Sequence, residues 1–164
     1  MFFESFEGDI LGRAPLALSI SDEHLGRMVK LLESGAEVNQ RDRLGRTALS
    51  YAAQYGRLDK VQLLIKLGAD TGTLDSLGRT PLSWGAEAGS WEMVRVLLDK
   101  GADANLAGKR GLRPLDAAAR APQTAEVQIV KEILKSRGAR HPWQYQVQRL
   151  WSMPFIKSLH RKCT

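Results

Sequence analysis

The sequence predicts an all-α solenoid, a stack of helix-turn-helix units joined by short turn or hairpin fingers. Three observations carry this. The interval from Gly12 to Gly45 recurs unchanged from Gly45 to Gly78 and from Gly78 to Gly111, the mark of a repeated structural unit. After the glycine comes a short apolar stripe at helical spacing, such as Leu82, Gly85 and Ala86 or Leu49, Ala52 and Ala53. A second stripe follows and is closed by another glycine, as in Val94, Leu97, Leu98 and Gly101.

The stretch from Asp75 to Asn105 is the clearest copy. Thr80-Pro81 is a helix start: the hydroxyl caps free N–H groups, and proline fits the first helical position, where its missing N–H costs little. Gly89 takes the left-handed conformation that ends the first helix. The preceding copy, from Asp42, has its second stripe at Val61, Leu64 and Ile65. The first copy, from Asp9, is looser, with Ala14 in place of the capping Thr and Ser19-Ile20 in place of the small pair. The fourth carries Leu115, Ala118 and Ala119, then Val130, Ile133 and Leu134. The span from Gly111 to Gly138 is four longer than the matching spans from Gly12 to Gly35, Gly45 to Gly68 and Gly78 to Gly101. The extra residues are expected around Ala121-Pro122-Gln123-Thr124, between the helices.

Period, DxxGRxPL turns and paired helices together resemble the ankyrin-repeat family over about residues 9–140. The TPLSW-type spelling is similar to that of long fungal ankyrin arrays. The resulting division is an N-terminal cap at 1–8, repeats at 9–41, 42–74, 75–107 and 108–140, and a basic aromatic cap or tail at 141–164. Phe2, Phe3 and Phe6 cover the open end of the first repeat, or once packed on a further element of a longer array. In the tail, Trp143, Val147, Leu150 and Trp151 follow an amphipathic helix pattern. The family's His after Thr-Pro-Leu is replaced by Ala17, Ser50, Ser83 and Asp116, and a Ser hydroxyl can take over part of its hydrogen bonding.

Composition limits the function. With 43% apolar and 26% charged residues the chain is that of an ordinary soluble protein. No stretch approaches the roughly 20 apolar residues of a membrane span. The single cysteine, Cys163, forms no internal disulfide, so a reducing, cytoplasmic or nuclear setting is expected. The net charge is +6, but Arg149, Lys157, Arg161 and Lys162 lie in the acid-free tail, which leaves 20 bases against 18 acids, or +2, in residues 1–140. His24, His141 and His160 are far apart, and no spacing of His or Cys suits a metal. No enzyme, no cofactor and no metal site is therefore expected.

The resemblance implies a monomeric, non-catalytic module that binds another protein on a concave face lined by turn tips and first helices. In phase with the glycines, Leu11, Leu44, Leu77 and Arg110 precede them, and Arg13, Arg46, Arg79 and Leu112 follow. Those positions, with Lys109 and the variable Gln54, Tyr55, Glu87 and Arg120, are the expected partner-binding residues. An exposed row of Leu beside Arg would suit an acidic, partly apolar segment of the partner. Gly-Arg-Thr-Pro-Leu is also a common spelling of the family's turn, so the arginines have a second reading as turn wording. As exposed residues, Arg46 and Arg79 are expected to tolerate replacement by Glu with little loss of stability. Trp84 is expected to pack between repeats. The alternative function is a basic tail that binds nucleic acid or an anionic membrane surface, with the solenoid as scaffold.

Overall fold

The second and third hairpins start from capped turns. Thr47 and Thr80 have extended backbone just ahead of α3 (Ala48–Gln54) and α5 (Pro81–Glu87), and their hydroxyls accept from the Ser50 and Ser83 N–H groups at 3.4 and 3.1 Å. The serine hydroxyls lie against the same threonine oxygens, at 3.4 and 3.1 Å. This is how serine works at the position where the family has histidine. Ala14 offers no such cap, and the first copy forms only the short α1 (Pro15–Leu18), a 3-10 turn at Ser19–Ser21 and α2 (Gly26–Glu33).

The computed structural model describes residues 12–106, 108 and 113–140. The N-terminal cap at 1–8, the tail at 141–164, and Leu11, Lys109, Arg110 and Leu112 lie outside the described residues. The remaining helices are α4 (Leu58–Lys66), α6 (Trp91–Asp99), α7 (Pro114–Arg120) and α8 (Ala125–Ser136). Among the described residues all regular structure is helical. The helices form two layers: α5 packs between α3 and α7, and α6 between α4 and α8.

Every second helix ends alike. The N–H groups of Ala36, Ala69, Ala102 and Ala139 return to the carbonyls of Leu31, Leu64, Leu97 and Leu134 at 2.9–3.0 Å, a bond five positions back made possible by a glycine at positive φ. First helices end at Gly56 and Gly89, also at positive φ. Pro122 stands at that place in the fourth copy and cannot make the same exit. Ala121 before it is extended, with ψ 156°, as a residue preceding proline prefers. The four extra residues therefore do not all lie between the helices, as the sequence suggested. Residues 121–124 replace the three of 88–90, and α8 has 12 residues where α6 has 9, with Thr124 capping the lengthened start.

The core is a row of small local interfaces. Leu49, Ala52, Ala53, Leu82, Ala86, Leu115 and Ala118 face Val61, Leu64, Met93, Val94, Leu97, Val130 and Leu134. A Cβ added at Gly85 would stand 3.0 Å from Met93 Cγ, so the missing side chain is what lets α5 and α6 close together. Three expected core positions differ: Ala119 is exposed, and Ile65 and Ile133 are half-buried.

Lys60 was not expected in this core at all, yet it is fully buried. Its Nζ donates to the carbonyls of Ser19, Ile20 and Asp22 at 2.8, 3.1 and 2.5 Å. Those carbonyls lie where the short first helix of the first copy gives out, and that of Ser19 also accepts from the Asp22 N–H at 3.3 Å. Burial, and then Arg57 nearby, press the Lys60 pKa below its ordinary value, while Asp59 and Asp22 oppose them.

Asparagines tie neighbouring copies together. Asn39 donates to the Gly68 carbonyl at 3.2 Å and accepts from Asp70 N–H at 2.8 Å. Asn105 does the same with Gly138 and Arg140, at 2.9 Å each. The position between them in the repeat is Gly72, whose φ is not positive and whose added Cβ would meet only the Asp70 carboxylate, at 3.3 Å, and Leu106, at 4.0 Å. Asp103 and Asn105 already coexist in the arrangement of Asp70 and Gly72. Gly72→Asn is therefore expected to stabilise the array by about 0.5–1.5 kcal/mol, from two new bonds and a less flexible unfolded chain. A higher urea midpoint supports this; an unchanged or lower one shows that the asparagine ties add nothing to stability.

Candidate protein-docking face

The turn tips are built on two aspartates. Asp42 Oδ1 accepts the N–H groups of Leu44 and Arg46 at 2.9 and 2.8 Å, and Asp75 Oδ1 accepts those of Leu77 and Arg79 at the same two distances. Backbone bonds close each loop, from Asp42 to Arg46 and from Asp75 to Arg79. Ser76 N–H then donates to the Leu44 carbonyl at 2.8 Å, joining one turn to the next. Arg41 adds bonds to the Gly45 and Leu74 carbonyls. The result is a hydrogen-bonded ridge that carries Arg46 and Arg79.

Those arginines do not stand free. The Arg46 guanidinium lies between two rings, its carbon 3.9 Å from the Tyr51 centroid and 4.2 Å from that of Trp84. Arg79 lies 4.3 Å from Trp84, and Arg13 lies 5.7 Å from Tyr51. In order along the stack, Arg13, Tyr51, Arg46, Trp84 and Arg79 form one alternating column of cations and rings. Polar neighbours fix the flat groups: Arg46 Nη2 donates to Gln54 Oε1, and Arg79 Nη1 pairs with Glu87 Oε2 at 2.6 Å. The Nε groups of Arg46 and Arg79 and the Trp84 Nε1 are buried and find no acceptor among the described residues. The guanidinium groups that carry two of these atoms lie against the rings, where a cation–ring contact contributes about 0.5–2 kcal/mol as water is excluded.

Tyr51 is held at both ends of its ring system. Its hydroxyl donates to Asp42 Oδ2 at 2.6 Å, and its ring stacks on Tyr55 at 6.3 Å between centroids. Burial first, and then the Asp42 bond, push its pKa up to about 12, against the pull of Arg46 and Arg13. Trp84 occupies the same place one repeat later, where its Nε1 makes no comparable bond to Asp75.

The expected site residues therefore divide into two sets. Arg13, Arg46, Arg79, Gln54 and Glu87 are brought together, but as half-buried parts of the column rather than as an exposed basic strip. The Arg79 side chain keeps only 20% of its accessible surface. The apolar seam is discontinuous too: Leu44 is 41% exposed, whereas Leu77 is half-buried. Tyr55, at 50%, and Arg120 are exposed. Sequence reasoning missed Tyr51, although Arg-Thr-x-Leu-Ser-aromatic occurs twice in register, at 46–51 and at 79–84. It also passed over Arg41 and Arg43, which are exposed beside Leu44.

A groove of about 650 Å³ runs along the opposite, second-helix layer, lined by Gln62, Ile65, Lys66, Val96, Asp99 and Lys100. That set contains no nucleophile with a neighbouring base. Among the described residues no three His, Cys, Asp or Glu gather as metal ligands, and no helix is long and apolar enough to cross a membrane.

A family model described as ankyrin repeats (three copies) matches the chain at residues 4–75 and again at 67–142. No curated protein matches it.

Two measurements follow from the column. Arg46→Ala removes a cation from between two rings and is expected to cost about 1–3 kcal/mol in urea unfolding, whereas exposed Arg120→Ala should stay within about 0.5 kcal/mol. Equal, small effects would show that the column adds no stability. The raised Tyr51 pKa means that the folded state holds this proton more tightly than the unfolded state. Its contribution to stability is complete below pH 10 and is lost as pH rises through about 12. A 295 nm titration should show a late tyrosine phase that disappears in Tyr51→Phe; if no late phase appears, the ring is not buried on Asp42.

Proposed function

The chain belongs to the ankyrin-repeat family, and we propose on that premise that it docks another protein on the side formed by its turn tips and first helices. Ankyrin repeats are generally protein–protein interaction modules and typically non-catalytic. The observation that carries the choice of face is the exposure of two large apolar side chains on it, Leu44 on the hydrogen-bonded turn beside the exposed Arg41 and Arg43, and Tyr55 at the end of α3.

Exposed apolar groups on a fixed frame supply the burial term of an interface, and arginines around them supply orientation and rate. The partner segment this chemistry favours is acidic and partly apolar. Asp42 and Asp75, the acids of the same ridge, have one oxygen each engaged with turn N–H groups, so the charge turned outward there is basic. Arg46 and Arg79 act in this reading as the frame, and Leu44, Tyr55 and Arg120 as contacts.

Leu44→Asp combined with Tyr55→Ala should leave the melting temperature nearly unchanged, because exposed substitutions usually cost less than about 0.5 kcal/mol. The same pair should lower capture of a cross-linked cellular partner by at least about tenfold, the scale of losing one buried contact residue. Leu67→Asp with Ile129→Asp, exposed positions of the second-helix layer, serves as the control and should leave capture intact. If the control pair abolishes capture and the first pair does not, docking occurs on the other side.

A further inference from the structure

The column of cations and rings stops one ring short. Tyr51 and Trp84 hold the same place in successive repeats, and the next position in that register is Ala117, on α7. Arg46 touches the ring of its own repeat and that of the next, but among the described residues Arg79 has only Trp84. At the missing place the structure leaves a void of about 10 Å³, walled by Arg79, Glu87, Ala117 and Arg120. Such a volume holds at most one water. Its outer wall is easily moved, since Arg120 is exposed and has no hydrogen bond or ion pair among the described residues.

We propose that this slot over Ala117 takes an aromatic side chain of the partner protein, stacked on Arg79, with a neighbouring acidic residue of the partner paired to Arg120. The proposal rests on the docking reading above and deepens it by naming the anchor. Arg79 is already oriented for a second ring, because Trp84 and the 2.6 Å pair with Glu87 hold its plane. A ring that enters displaces Arg120 from the mouth of the slot. The released guanidinium then meets the partner's carboxylate, where planar Arg–carboxylate pairing is strongest. An aliphatic side chain would fill the space without the cation–ring attraction, so the slot selects for Trp, Tyr or Phe.

The test uses the full chain and two capped pentapeptides, Glu-Glu-Trp-Glu-Glu and Glu-Glu-Leu-Glu-Glu. The readout is affinity together with the NMR signal of the Arg79 Nε–H, whose nitrogen is buried. The Trp peptide should bind at least about tenfold tighter than the Leu peptide and should move the Arg79 signal by ring current. Arg120→Ala should weaken both peptides, and Ala117→Tyr, which completes the column from within, should abolish the preference for Trp. Ala117→Leu blocks the same slot and gives the same result should the Tyr variant fail to fold. Equal affinities, absence of binding, or a preference that survives both blocking variants would overturn the slot. Equal affinities that Arg120→Ala still weakens would remove the aromatic anchor while leaving the docking face standing. Finally, if Trp143→Ala or Trp151→Ala moves the Arg79 signal in the free chain, the chain's own C-terminal segment occupies the slot and the proposal falls.

Discussion

Arg46 between Tyr51 and Trp84 is the contact on which the proposed docking side of this molecule depends. A solenoid has no central core, so each copy is held only by its neighbours. On the inner side that adhesion falls to first helices whose facing residues are small: Ala52, Ala53, Gly85, Ala86 and Ala118. Small residues bring helices close but bury little apolar area apiece. The Arg46 guanidinium supplies what the small side chains omit, since it is flat enough to lie between rings spaced by the repeat. A cation that would otherwise stay in water becomes part of the joint between copies.

The same arrangement separates the frame from the proposed contact surface. Arg46, Arg79, Gln54 and Glu87 are already engaged, so they lose little further freedom when a partner arrives. Leu44 remains open on a ridge whose backbone is bonded to the next turn, and Tyr55 and Arg120 remain open at the ends of α3 and α7. A preorganised surface of this kind turns more of its contact energy into affinity, because less is spent on ordering.

Much of the fold was legible from the sequence, since its cause is periodic. Glycines at a constant interval and stripes at helical spacing dictate paired helices, whatever the distant parts of the chain do. The misreadings occur where a residue's fate depends on another copy. Arg46 looks like an exposed turn residue until a ring from the next copy covers it. Lys60 looks like the polar face of α4, yet it is drawn inward by three carbonyls that lie where the short first helix gives out. The extra residues of the fourth copy were expected between the helices, but three of them lengthen the start of α8, where Val127 is buried. Of the expected site, the turn positions were visible as positions; their division into locked and open side chains was not, because it depends on stacking across copies.

The central claim is that the column physically couples adjacent copies. A double-mutant cycle between Arg46 and Trp84, using Arg46→Ala, Trp84→Leu and the pair, measures that coupling in urea unfolding. A coupling energy of about 1–2 kcal/mol is predicted, the scale of a desolvated cation–ring contact. Effects that add to within about 0.3 kcal/mol would contradict it, leaving the arginines as turn residues that merely lie beside the rings.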